Sequence, residues 1–133
     1  MTGLPDDLWR AASLVALAVL FVGAGVAHFV RPRMFEAIVP RWLPAWLPSA
    51  RTLVVVSGVA EIAGGVGLLI PGLRAAAAWG LAALLVAVFP ANVEMARDWP
   101  RFASLAPRWA LVARLPLQAV LIAAVLWAAG VWG

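Results

Sequence analysis

Four apolar stretches, each long enough to cross a bilayer, constrain this chain more than anything else in it. A transmembrane helix needs about 20 predominantly apolar residues. The stretches cover about 9–30, 52–70, 73–96 and 109–131. The first and third connections are long. The second is Pro71-Gly72, where proline stops one helix and glycine permits the reversal, so the middle pair forms an antiparallel hairpin. The remaining composition agrees. Of 133 residues, 65% are hydrophobic and only 12% are charged, whereas a soluble domain carries about a quarter charged residues. Mean hydropathy is +1.00. The expectation is a single all-α domain over 1–133, an integral membrane four-helix bundle.

The first stretch resembles a signal peptide only superficially. Asp6 and Asp7 precede it in place of a basic run, and its apolar part is too long for a signal core. It is read as a retained helix.

Arginine placement sets the expected orientation. All ten basic residues are arginine. Arg31, Arg33, Arg41 and Arg51 flank the first connection, and Arg97, Arg101, Arg108 and Arg114 flank the third. Only Arg10 and Arg74 belong to the opposite side. Positive charge stays inside, so both long connections are expected in the cytoplasm and both termini outside. Tryptophans mark two interfacial belts, Trp9, Trp79, Trp127 and Trp132 against Trp42, Trp46, Trp99 and Trp109. The basic side suits anionic lipid. No soluble basic domain is present to hold nucleic acid, so none is expected as a partner.

The first connection, "RPRMFEAIVPRWLPAWLPSAR" (31–51), is not a plain loop. Its centre, "MFEAIV", supports about one and a half helical turns. Pro40, Pro44 and Pro48 then forbid a long helix. A Trp-Leu-Pro unit repeats at a four-residue step, with Trp42 and Trp46 too apolar for free solvent. The expectation is a short Pro/Trp-rich interfacial or re-entrant element between helices 1 and 2.

Each long helix carries one distinctive polar residue: His28, Glu61, Asn92 and Gln118. At about 1.5 Å per residue, three lie roughly 5–8 Å from the cytoplasmic helix ends and Glu61 about 15 Å in. Ser57, Glu61, Gly64, Gly65 and Leu68 share one face, whose small residues allow close helix approach. A mid-membrane carboxylate costs several kcal/mol unless paired or neutralised, and such acids mark ligand or proton sites by default. Asn92 and Gln118 also read as interhelical hydrogen-bond glue, and His28 as a satisfied residue near a helix end. Pro90 and Pro116 each precede an amide residue by two positions and should free the carbonyls of Val86 and Val112. Glu36, Glu94 and Asp98 lie among arginines and are expected to form local ion pairs. The chain has no cysteine and one histidine. That excludes disulfide, thiolate–metal and bis-histidine haem chemistry within it. His28 with Glu61 is too small a set for a metal site.

Five segments in order resemble the DoxX/DoxD-like small membrane proteins: "GVAHFVRPRMF" (25–35), "IVPRWLP" (38–44), "SGVAEIAGGVGLL" (57–69), "PAN" (90–92) and "RLPLQ" (114–118). The similarity spans about residues 12–128. Its pattern residues here are His28, Pro32, Phe35, Pro40, Pro44, Glu61, Asn92, Pro116 and Gln118. The resemblance implies a four-helix protein of the bacterial inner membrane. Some relatives of this type are subunits of membrane redox assemblies, including thiosulfate:quinone oxidoreductase. Others are linked to oxidative-stress partners or resemble assembly chaperones. The resemblance supplies no catalytic residues.

Three functions follow as expectations. The first is a membrane subunit or partner of a redox complex, with no intrinsic cofactor and a polar pocket binding a quinone-like or other small ligand. There Glu61 and His28 handle protons, and Asn92 and Gln118 complete the pocket. The second is a scaffold or assembly factor that recruits a protein partner, or a second copy, through the element built on Pro32, Phe35, Pro40, Trp42, Pro44 and Trp46. The third is a small-solute transporter, for which four helices are few in a single chain.

Overall fold

The computed structural model describes residues 7–104 and 106–131. Trp132, assigned above to an aromatic belt, and Asp6 lie outside them. Among the described residues all regular secondary structure is helical: α1 (Leu8–Val30), α2 (Pro32–Ala37), α3 (Ala50–Leu68), α4 (Arg74–Arg97) and α5 (Arg108–Ala128), with one 3-10 turn (Trp99–Phe102) before α5. All except α2 are long and apolar enough to cross a membrane. The fold therefore fits a multi-pass membrane protein.

The ends of these helices follow local chemistry. Asp7 caps α1, its carboxylate accepting from the amides of Trp9 and Arg10. Ser49 caps α3 by accepting from Thr52 N at 3.2 Å, so this helix starts two residues before the expected 52. It ends at Leu68, short of 70, because the residue before Pro71 is driven out of helical geometry. Arg74 Nε donates to Leu68 O at 2.7 Å and satisfies one terminal carbonyl. The last helix stops at Ala128 rather than 131. Gly130 there adopts φ +75°, and the amide of Val131 reaches back to Leu126 O at 3.0 Å. Both α4 and α5 run through their internal prolines, Pro90 and Pro116.

The four long helices alternate in direction around a ring, α1 beside α3, α3 beside α4, α4 beside α5, and α5 closing on α1. Glycines set two of these contacts. A Cβ on Gly25 would lie 2.6 Å from Ile62 Cγ1 and 2.7 Å from Gly58 O, and one on Gly65 would lie 2.9 Å from Ala18 O. Only bare backbone allows α1 and α3 this close. Gly64 instead receives Leu81 of α4, and Gly67 receives Ala77. The small residues of α3 thus form two seams rather than one. Glu61 falls on the helix surface between them, turned toward the bundle axis.

The larger core lies toward the end where α1 begins and α5 finishes, built from Leu14, Leu17, Phe21, Leu68, Leu81 and Val125 among others. A small second core of Met95, Phe102 and Leu111 closes the opposite end. Valines such as Val19, Val56, Val86 and Val120 face outward, an arrangement that suits lipid. The ring order puts Trp9, Trp79 and Trp127 at one end and Trp42, Trp46, Trp99 and Trp109 at the other.

Candidate functional site

Between the two cores the bundle holds a cavity of about 510 Å³. Its wall is mostly apolar, supplied by residues such as Leu20, Phe21, Leu85, Val88 and Leu121. All four polar residues singled out from the sequence line it: His28 from α1, Glu61 from α3, Asn92 from α4 and Gln118 from α5. Pockets of this size with a few convergent polar groups are the usual form of a small-molecule site.

The close α1–α3 approach at Gly25 and Gly58 brings His28 to Glu61. Histidine Nδ1 lies 3.3 Å from Glu61 Oε2. The same nitrogen lies 2.7 Å from Ala24 O. A carbonyl only accepts, so Nδ1 carries the hydrogen and gives it to Ala24. That leaves Glu61 Oε2 buried without a hydrogen-bond partner, and it leaves Nε2 of a neutral His28 as an acceptor. The two groups are adjacent but do not satisfy each other. The imidazole is held flat by Phe35 of α2, with ring centroids 3.9 Å apart and planes at 22°.

Asn92 and Gln118 behave differently. Asn92 Nδ2 donates to Gln118 Oε1, and Gln118 Nε2 donates to Leu85 O. This relay ties α4 to α5. The carbonyls expected to be freed by Pro90 and Pro116 are those of Val86 and Val112. Gln118 uses Leu85 instead, because Leu85 is buried in the bundle whereas Val86 and Val112 are exposed on its outside.

The Pro/Trp connection forms one end of the cavity. Pro32 starts α2, where its fixed φ suits a first helical position and it needs no amide partner. The helix spans Pro32–Ala37 rather than the expected "MFEAIV" segment. Two turns follow at a four-residue step, closed by Leu43 N to Pro40 O (3.5 Å) and Leu47 N to Pro44 O (3.1 Å). In each turn leucine points inward and tryptophan outward. Leu43 and Leu47 line the cavity, as do Phe35 and Pro40. Trp42 and Trp46 are exposed. Trp42 Nε1 donates to Glu94 Oε2 at 3.0 Å, and Arg101 Nη2 donates to Ala37 O at 2.8 Å. Glu94 therefore takes an indole rather than an arginine, while Asp98 pairs with Arg101 at 3.4 Å. A second cavity, about 670 Å³, lies beyond the turns and is lined by Pro44, Arg41 and Arg101 among others. Val39, Pro40, Leu43 and Leu47 of the connection and Leu53 of α3 line both cavities and so lie between them.

Sequence reasoning passed over two cavity residues, Ser57 and Arg114. The signal was present. Each precedes a chosen residue by four positions and so shares its helix face. Arg114 was assigned instead to the cytoplasmic border. Among the described residues, no three His, Asp or Glu side chains are grouped to hold a metal ion.

A family model described as "Domain of unknown function (DUF8561)" matches residues 17–129, which include every polar cavity residue above. No curated protein matches the chain. No solved structure matches it either. With the match running from within α1 to just past the end of α5, the chain belongs to the DUF8561 family.

Proposed function

We propose that this chain is a multi-pass protein of the bacterial inner membrane, acting as the membrane subunit or partner of a redox complex, whose cavity binds a quinone-like head group. Both long connections face the cytoplasm and the termini face outward. The turns at Pro40 and Pro44 lie in the headgroup layer with Trp42 and Trp46 as anchors. One observation carries the reading: a buried carboxylate oxygen of Glu61, without a hydrogen-bond partner, lines a largely apolar cavity. Buried polar groups are otherwise almost always paired; a quinone carbonyl would complete this one by accepting from the protonated acid, and a quinol hydroxyl by donating to the carboxylate. The apolar wall suits a ring and its hydrophobic tail. The similarity to DoxX/DoxD-like proteins supports the redox setting.

A quinone, when bound, supplies the two-electron carrier that the chain itself lacks, and the electrons come from a partner protein. As the electrons arrive, Glu61 as the acid would pass its proton to one head-group oxygen and then, as carboxylate, accept a hydrogen bond from the resulting hydroxyl; the second proton would reach the other oxygen from solvent, and His28 stands beside Glu61. Phe35 fixes the imidazole plane, and the leucines of both turns keep water out. Titration of a short-chain ubiquinone or menaquinone analogue into the protein in lipid nanodiscs tests this. Saturable binding weakened at least tenfold by Glu61→Gln is expected. Equal affinity for both forms, or no saturable binding, overturns the proposal.

The outward tryptophans also favour a second reading, a scaffold that captures a protein partner through residues 31–51. Partner capture that survives Glu61→Gln but fails when Trp42 and Trp46 are both replaced by alanine would select it.

A further inference from the structure

The cavity is also lined by a cation without an ion-pair partner among the described residues, an arginine that is itself partly exposed at the surface. Arg114 lines it from α5. Its one hydrogen bond among the described residues is to Met95 Sδ at 3.4 Å, and a thioether is a weak acceptor. No carboxylate lies within ion-pair distance of this guanidinium among the described residues: Glu61 lies beside His28, and Asp98 pairs with Arg101. Arginine within a membrane-spanning helix ordinarily pairs with an acid or reaches the interface. Here it shares a cavity with an acid whose own oxygen lacks a partner, and the two do not meet.

Helix register explains their separation. Gly64 packs on Leu81, which puts Glu61 about level with Leu84 on the antiparallel α4. Arg114 is fixed at the level of Met95. Some eleven residues of α4 separate those levels, about 16 Å along the axis at 1.5 Å per residue. The amides between them, Asn92 and Gln118, are already engaged with each other and with Leu85 O. The cavity therefore carries an acid and an arginine at different depths, with the engaged amides and apolar side chains between them.

We propose that the cavity selects a two-ended ligand, with a hydroxyl donating to Glu61 at one end and a carbonyl or carboxylate oxygen accepting from Arg114 at the other. Guanidinium N–H groups are fixed donors that match such oxygens. The ligand class is a planar, apolar-bodied hydroxy-carbonyl or hydroxy-acid compound. This rests on the reading of the cavity as a ligand site, and it makes Arg114 the specificity residue for the far end.

Two probe series of different length test it on the whole protein in nanodiscs by isothermal titration calorimetry, with empty nanodiscs as the blank. One comprises para-hydroxybenzoate, phenol and benzoate; the other comprises hydroxynaphthoate, naphthol and naphthoate. In at least one series the two-ended compound should bind about tenfold more tightly than either one-ended analogue, as a charge-assisted hydrogen bond implies. Arg114→Gln should remove the gain due to the carboxylate and leave the naphthol or phenol affinity unchanged. Glu61→Gln should remove the gain due to the hydroxyl and leave the carboxylate gain in place. Equal weakening of all three compounds by Arg114→Gln would make the arginine purely structural and overturn the proposal. So would the absence of any two-ended preference. Quinone binding that persists while no two-ended preference exists sinks this inference alone; loss of all saturable binding, quinone included, sinks the ligand site itself.

Discussion

Phe35 stacks on His28 with ring centroids 3.9 Å apart, joining the first turn after α1 to the most polar part of the bundle. The same imidazole gives its N–H to Ala24 O and stands beside Glu61. Connection and cavity are thus mechanically one unit. α2 thus packs directly on the ring that stands beside Glu61.

Replacing Phe35 with alanine should loosen that unit without touching Glu61. The chain has no cysteine, so a thiol introduced by Ser57→Cys, on the cavity wall, reports access cleanly. Maleimide labelling of S57C should accelerate several-fold when Phe35→Ala is added. An unchanged rate would show that the aromatic contact does not restrict access to the cavity.

The tie between Trp42 and Glu94 spans 3.0 Å and lies at the surface. Trp42→Phe keeps the ring and loses the N–H, and should cost no more than about 1 kcal/mol. Its clearer signature should be faster proteolysis within residues 38–49. Glu94→Gln, which retains an acceptor oxygen, should leave the proteolysis rate near that of the parent chain.

The glycine seam predicts a sharp contrast. A Cβ at Gly25 meets the backbone oxygen of Gly58 at 2.7 Å, whereas one at Gly23 or Gly80 meets nothing within 4 Å. Gly25→Ala should destabilise the bundle by about 1–3 kcal/mol, the usual result of overpacking. Gly23→Ala and Gly80→Ala should be neutral or stabilising by up to about 1 kcal/mol through helix propensity. Thermal unfolding in detergent separates the three.

Asn92 and Gln118 should couple energetically, since one donates to the other across α4 and α5. A double-mutant cycle with Asn92→Ala and Gln118→Leu should return an interaction of about 0.6 kcal/mol, typical of hydrogen bonds between membrane helices. Neither change should abolish ligand binding, because both amides are already engaged. Loss of binding with unchanged stability would move them from packing into the site.

Orientation is open to a direct check. A reporter inserted between Arg41 and Pro48 should be active only in its cytoplasmic form, and one fused after Gly133 only in its external form. The reverse pattern would overturn the arginine argument.

Hydropathy alone determined four long helices, because an apolar run of that length has few alternatives once backbone hydrogen bonds must be met within the segment. It located their ends to within a few residues. The errors came from local chemistry that hydropathy does not read, Ser49 as a cap and Gly130 as a stop. One polar residue per helix was equally legible, as was their placement in the same half or the middle of the bundle, since rise per residue is fixed. Only the tertiary structure decided which neighbours they meet. Gly64 and Gly65 are adjacent in sequence yet pack against different helices, a division that depends on where α1 and α4 sit around α3. Arg114 read as a border charge until the bundle closed and turned the Gln118 face of α5 inward. Asn92 and Gln118 looked equivalent to His28 and Glu61, but bonding across helices uses the amides on each other and leaves Glu61 Oε2 without a partner. Composition sets how many polar groups the four apolar helices carry. Packing geometry sets which of them remain unsatisfied.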